Sequence, residues 1–340
     1  MKIRLLVCFS LLLLVFSSAK EKQAITPVSF KVPNGWPAPT YNFTNNPLTE
    51  EGILLGQTLF YDPVLSRDST ISCASCHLQA TGFAHVDHDL SHGIDNRIGT
   101  RNAASIMNVA WSKSFFWDGS INHLDVLPLA PIEHKDEMDL PFAEAVKKIK
   151  RDNKYRPLYA NAFGTIGISG ERTLKALSQF MLTLVSANAK YDAVMAKKDS
   201  FTIVEQKGYL LFKQHCSSCH TEPLFTNGNF ENNGLPIDTT LNDMGRMRVT
   251  TSETDRLKFK VPTLRNIQFT YPYMHDGRFA TLTDVLKHYN SGVYQSKTLS
   301  IQLKKPMQLS DNQRVEIVAF LKTLTDTEFL LNKKYGFIGK

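Results

Sequence analysis

The chain has 340 residues, 42% of them apolar, and a formal net charge of +7. That length allows two domains with separate cores. The modest basic excess, without a dense basic run, gives no support to nucleic-acid binding. It suits ordinary solubility and equally the steering of an acidic redox partner.

The N-terminus reads as an export leader. Lys2 and Arg4 precede an apolar run from Leu5 to Phe16, and Ser17-Ser18-Ala19 supplies a small-residue cleavage site before Lys20. The run is about half the ~20 residues needed to cross a bilayer. Residues 1–19 are therefore expected to be removed, leaving a periplasmic protein with no membrane span. Residues 20–45 are rich in Pro and Asn and read as an extended arm without its own core. Helical periodicity follows at Glu51–Phe60, Phe142–Arg151, Arg172–Ala196, Ile203–Gln214, Leu282–Tyr289 and Asp311–Leu324. Ser310, with Gln313 three positions on, predicts an N-cap for the last of these. The long Arg172–Ala196 segment reads as a connector and places a boundary near residue 198, between domains at 46–197 and 198–340.

Two pentapeptides carry the chemistry: Cys73-Ala74-Ser75-Cys76-His77 and Cys216-Ser217-Ser218-Cys219-His220. Each is a C-x-x-C-H haem-attachment pattern. The two thiols form thioethers to the vinyl groups of one porphyrin, and the histidine gives its iron an imidazole ligand. Of five cysteines, Cys8 lies in the leader and the other four complete the two motifs, leaving none for a disulfide. The surroundings repeat as well. Gly56…Phe60 and Gly208…Phe212 precede the motifs. Arg101-Asn102 with Phe116-Trp117-Asp118-Gly119, and Arg265-Asn266 with Met274-His275-Asp276-Gly277, follow them. The fold class is mainly α, with two tandem cytochrome c-like domains, each around one covalently bound haem c.

The face opposite each proximal histidine separates a carrier from an enzyme. An electron carrier keeps both irons closed by a sixth ligand, whereas a peroxidase leaves one open or openable. His85, His88 and His92 are the histidines downstream of the first motif. Cleaving peroxide also needs a proton-transfer group. Glu133, Asp136 and Glu137 are available for this, and pattern alone does not choose between them.

From Leu48 to Asp326 these landmarks occur in an order that resembles the bacterial di-haem cytochrome c peroxidase family, which includes the MauG-type enzymes. They include Val261-Pro262-Thr263-Leu264-Arg265-Asn266 and Thr270-Tyr271-Pro272-Tyr273-Met274-His275-Asp276-Gly277-Arg278-Phe279. The resemblance implies that the first haem is peroxidatic and the second accepts electrons. It implies that Glu137 is the distal acid–base group, that Trp117 relays electrons between the haems, and that His92 caps the resting first iron. Asn102, Thr270 and Pro272 match residues around a calcium ion.

Two positions depart from the family pattern. Leu127 stands where a glutamine is common, and Tyr289 where ordinary members have a methionine ligand; MauG-type enzymes share the tyrosine. A phenolate on the second iron would lower its potential. Met274 and Met307 remain alternative sulfur ligands. The expected activity is reduction of hydrogen peroxide with electrons from a small cytochrome c or cupredoxin. A MauG-like oxidation of protein aromatic residues and a non-enzymatic electron carrier are the alternatives. Homodimer and monomer are both compatible with the sequence.

Overall fold

Helices form where apolar spacing and capping side chains agree. The computed structural model describes residues 24–338, so the expected leader lies outside the described residues. The helix at Glu50–Tyr61 begins where the Thr49 hydroxyl accepts from the Gly52 N–H. Ser169 caps Gly170–Thr183 in the same way. Ile203–His215 starts in a reciprocal box between Thr202 and Glu205. Asp311–Lys322 starts in the expected box between Ser310 and Gln313. Phe142–Arg151 matches its predicted bounds. Among the described residues, two strands of two residues each pair antiparallel, Phe230–Glu231 with Phe259–Lys260. Among the described residues, no helix is long and apolar enough to cross a membrane.

Each domain is built on one crossed helix pair. Gly56 lies where a Cβ would come within 1.9 Å of the Ala176 carbonyl oxygen, and Gly208 where a Cβ would come within 1.9 Å of the Glu316 oxygen. Only a residue without a side chain lets the backbones approach this closely. Behind the crossings, Phe60 meets Phe180 at 5.1 Å and Phe212 meets Phe320 at 5.0 Å between ring centroids. Such pairs add about 0.5–1.5 kcal/mol each beyond the area they bury. The repeat seen in the sequence is thus a repeat of packing.

The long Arg172–Ala196 helix does not form as one element. It stops at Thr183 and resumes at Lys190–Met195. The interruption has tertiary causes: the Leu184 carbonyl accepts from Asn108 N–H, and Ser186 N–H donates to the Asn108 side chain. The Asn188 N–H donates to Asp326. Distant side chains here satisfy backbone groups that a continuous helix would have paired internally.

Both chain ends close the first core. Phe30, Trp36, Tyr41 and Phe43 of the N-terminal arm pack against it, with Trp36 and Trp111 rings 4.8 Å apart. From the other end, Phe329 and Leu330 enter the same core, and the Gln57 amide donates to the Lys334 and Gly336 carbonyls at 2.9 and 2.7 Å. Arg265, fully buried, reaches from the second domain to within 4.6 Å of the Trp36 ring and pairs with Asp192 at 2.7 Å.

Candidate active site

Both C-x-x-C-H motifs line one cavity of ≈ 860 Å³, through Cys73, Cys76, His77, Cys216, Cys219 and His220. This is at the upper end of the ~300–1,000 Å³ common for small-molecule sites. The four cysteines are free thiols. Burial pushes Cys73 and Cys216 up to about 12 and Cys76 up to about 11, and raises Cys219 too. Thiols held this firmly in the protonated state are poor redox nucleophiles, which argues against a thioredoxin-like dithiol. Each proximal histidine is aimed by its other nitrogen. His77 Nδ1 lies 2.9 Å from the Phe83 carbonyl oxygen, and His220 Nδ1 lies 3.1 Å from Phe225 O and 3.2 Å from Pro262 O. Nδ1–H donation to a carbonyl leaves Nε2 as the lone-pair nitrogen, as an iron ligand requires. Burial also lowers both imidazoles below their usual range, which keeps them neutral. Free thiol pairs, oriented imidazoles and a large shared cavity fit two haem c groups.

The carbonyls of Phe83 and Phe225 were not singled out by sequence reasoning. Both phenylalanines have positive φ, 57° and 56°. Each turns the chain back so that its carbonyl meets the histidine a few residues upstream. A Phe six residues after His77 and five after His220 was the available signal.

The turns downstream repeat too. Phe115 bridges Ile121, and Tyr273 bridges Phe279, with positive φ at Phe116, Gly119, Met274 and Gly277. Trp117 and His275 therefore occupy equivalent places. The Trp117 indole N–H donates to Asn102 O at 2.9 Å, while its own carbonyl accepts from Lys260 N–H at 2.7 Å. Asn102 N–H in turn donates to His275 O at 2.7 Å. Trp117 lines the shared cavity, clamped between residues of both domains. Arg101 adds an ion bridge across the same junction, 2.6 Å from both Asp118 and Asp243. Asn102, Thr270 and Pro272 also line this cavity.

At the first motif, the structure separates the three acids. Glu133 is exposed and accepts from the Phe142 N–H at 3.0 Å, where it caps a helix. Asp136 does not line the cavity, whereas Glu137 does. Burial raises the Glu137 carboxyl above its ordinary value, with Asp136 adding to the rise and His134 opposing it. Its charge is also felt by Cys76 and Cys73, which puts it beside the first attachment pair. The histidines separate likewise. His92 lines the cavity; His85 and His88 do not. The His92 carbonyl lies 3.5 Å from Cys76 Sγ, and the His88 ring covers the His92 ring at 3.9 Å. Gly93 rests on Glu137, since a Cβ there would lie 2.5 Å from the Glu137 Cα. Leu127 is buried and supplies an apolar wall.

At the second motif, helix Leu282–Lys287 runs into a π-helical turn at His288–Gly292. Such turns re-aim side chains and recur at functional sites. Tyr289 sits in this one and lines the cavity. Burial pushes its hydroxyl up to about 12; Asn233 lowers it, and the charges of Cys216 and Cys219 raise it. Asn233, also missed from sequence, further accepts through its carbonyl from His288 Nε2 at 2.9 Å and donates to Met274 Sδ at 3.3 Å. Met274 and Met307 line the cavity as well.

The family description for di-haem cytochrome c peroxidases matches residues 50–200, and that for cytochrome c matches residues 205–325. The methylamine utilization protein MauG of Methylorubrum extorquens is 34% identical over 319 residues, covering 90% of this chain and 86% of the relative. The cytochrome c551 peroxidase of Nitrosomonas europaea is 36% identical over 276 residues, 80% of this chain and 79% of the relative. Among solved structures, a MauG-like protein associated with microbial copper homeostasis superimposes with a TM-score of 0.83 at 29% identity, covering 91% of this chain and 99% of that one.

Proposed function

This chain belongs to the di-haem cytochrome c peroxidase family, oxidoreductases with two haem c groups, and from that premise we propose that it reduces hydrogen peroxide to water in the periplasm. Cys73, Cys76 and His77 would hold the first haem, and Cys216, Cys219 and His220 the second. When bound, the haem irons supply the site of peroxide reduction and the path for electrons.

The observation that carries this reading is Glu137, the one acid of its loop that lines the cavity, beside the first thiol pair. Its carboxylate takes a proton from one peroxide oxygen and returns it to the other, so that the leaving oxygen departs as water. With two electrons and two protons supplied, one peroxide yields two waters. The His92–Gly93 strap, which rests on Glu137, limits water around that carboxyl. Trp117, whose indole donates to Asn102 and whose carbonyl accepts from Lys260, lines the cavity shared by the two attachment sites and serves as the relay. Electrons enter at the second domain from a small cytochrome c or cupredoxin. Asn102, Thr270 and Pro272 offer oxygen donors for a calcium ion at the junction. Steady-state oxidation of reduced cytochrome c on addition of peroxide tests this. Absence of turnover in fully haem-loaded, pre-reduced protein would remove it.

Tyr289 supports a second reading, peroxide-dependent oxidation of aromatic side chains in a partner protein. Its hydroxyl is deep, next to the second thiol pair, and a phenolate ligand would favour highly oxidised states of that centre. An optical and EPR spectrum left unchanged by Tyr289→Phe would withdraw this alternative.

A further inference from the structure

Lys260 is a deeply placed cation with no anion assigned to it. It belongs to the Phe259–Lys260 strand of the second domain, and its side chain crosses to the first. There its Nζ donates to the Ser114 carbonyl at 2.8 Å, and it sits 5.9 Å from the centroid of the Phe115 ring. Among the described residues, no carboxylate forms an ion pair with it. Asp118, whose charge it feels, is already held by Arg101 at 2.6 Å. The part of Lys260 not covered by protein faces the cavity shared by the two attachment motifs. One neutral carbonyl is a poor partner for a buried ammonium, which is expensive to keep charged without an anion. Burial accordingly lowers it to about 8 in the protein alone.

A porphyrin of this kind carries two propionate carboxylates, the one anionic chemistry that the two-haem reading brings into this cavity. We propose that Lys260 is the counter-ion of a haem propionate at the junction of the two domains. It would act as a positioning residue: its charge favours the more negative ferrous state of the haem it faces and so raises that haem's midpoint potential. It would also tie that propionate, through the Lys260–Trp117 backbone bond, to the indole between the sites. The donor could serve either haem, since both motifs line the cavity.

The inference rests on the two-haem reading, and its test keeps the two apart. Covalent haem content by mass is measured on each sample of the exported protein, followed by spectroelectrochemical titration of both haems. Lys260→Gln keeps a donor for Ser114 but drops the charge; Lys260→Met drops both and is used if the Gln variant fails to load haem. The expected result is a downward shift of one midpoint with the other unmoved, and a near-native value in Lys260→Arg. The haem that shifts is the one whose propionate is held. Unshifted midpoints in fully loaded protein, or an equal shift in Lys260→Arg, would overturn the role of Lys260. Wild-type protein lacking two covalent haems would instead end the two-haem reading.

Discussion

The first and second domains share their frame and differ on one side of the cavity. Gly56 and Gly208 set the same helix crossing, Phe83 and Phe225 present the same carbonyl to the proximal histidine, and Phe116 and Met274 start the same turn. Across from that frame, the first domain places a half-buried glutamate on the cavity wall and a histidine strap, whereas the second places a tyrosine on a π-helical turn. The two copies of one scaffold thus present different side chains to the shared cavity, Glu137 and His92 in one and Tyr289 in the other.

The largest expected effect comes from removing Glu137, the acid beside the first thiol pair. Glu137→Gln should lower kcat/KM for peroxide by ~10²–10⁴-fold, the usual share of a general acid–base group, with covalent haem content unchanged. A loss under threefold would dissociate Glu137 from catalysis. The same residue sets a pH limb. Burial raises its carboxyl above the ordinary 4.5, and it must be ionised to accept the peroxide proton. Activity should therefore fall as pH drops through that raised value, and Glu137→Gln should flatten the limb.

The shared frame is tested next. Gly56→Ala and Gly208→Ala each force a methyl against a backbone carbonyl, and each should cost about 1–3 kcal/mol or more in stability. Thermal unfolding of the haem-loaded protein reads this directly. If one variant were destabilised and the other native-like, the two crossings would not be equivalent. The smallest effect is the most local. Under the ligand reading of Tyr289, Tyr289→Phe should raise the midpoint of the second haem and alter its EPR signal alone, because a phenolate donor would favour ferric iron.

Much of this comparison was legible in the chain. The C-x-x-C-H motifs, the Gly…Phe repeat and the Ser310–Gln313 box are local patterns whose physical meaning survives folding. The choice of Glu137 over Glu133 and Asp136 was not legible from pattern, because it depends on which carboxyl the fold buries; family resemblance supplied it. The break in the 172–196 helix escaped for a similar reason. No proline or glycine marks it, and its causes, Asn108 and Asp326, lie far away in sequence. Asn233 and Lys260 carry no motif at all, and only their position on the cavity wall distinguishes them.

The asymmetry between the two centres is tested most directly by EPR of the half-reduced and fully oxidised protein, recorded with and without azide. Two distinct ferric signals are expected, of which only the one from the Cys73/Cys76/His77 centre changes when azide is added. Two low-spin signals, neither perturbed by azide in either redox state, would contradict it and describe a carrier with both irons closed.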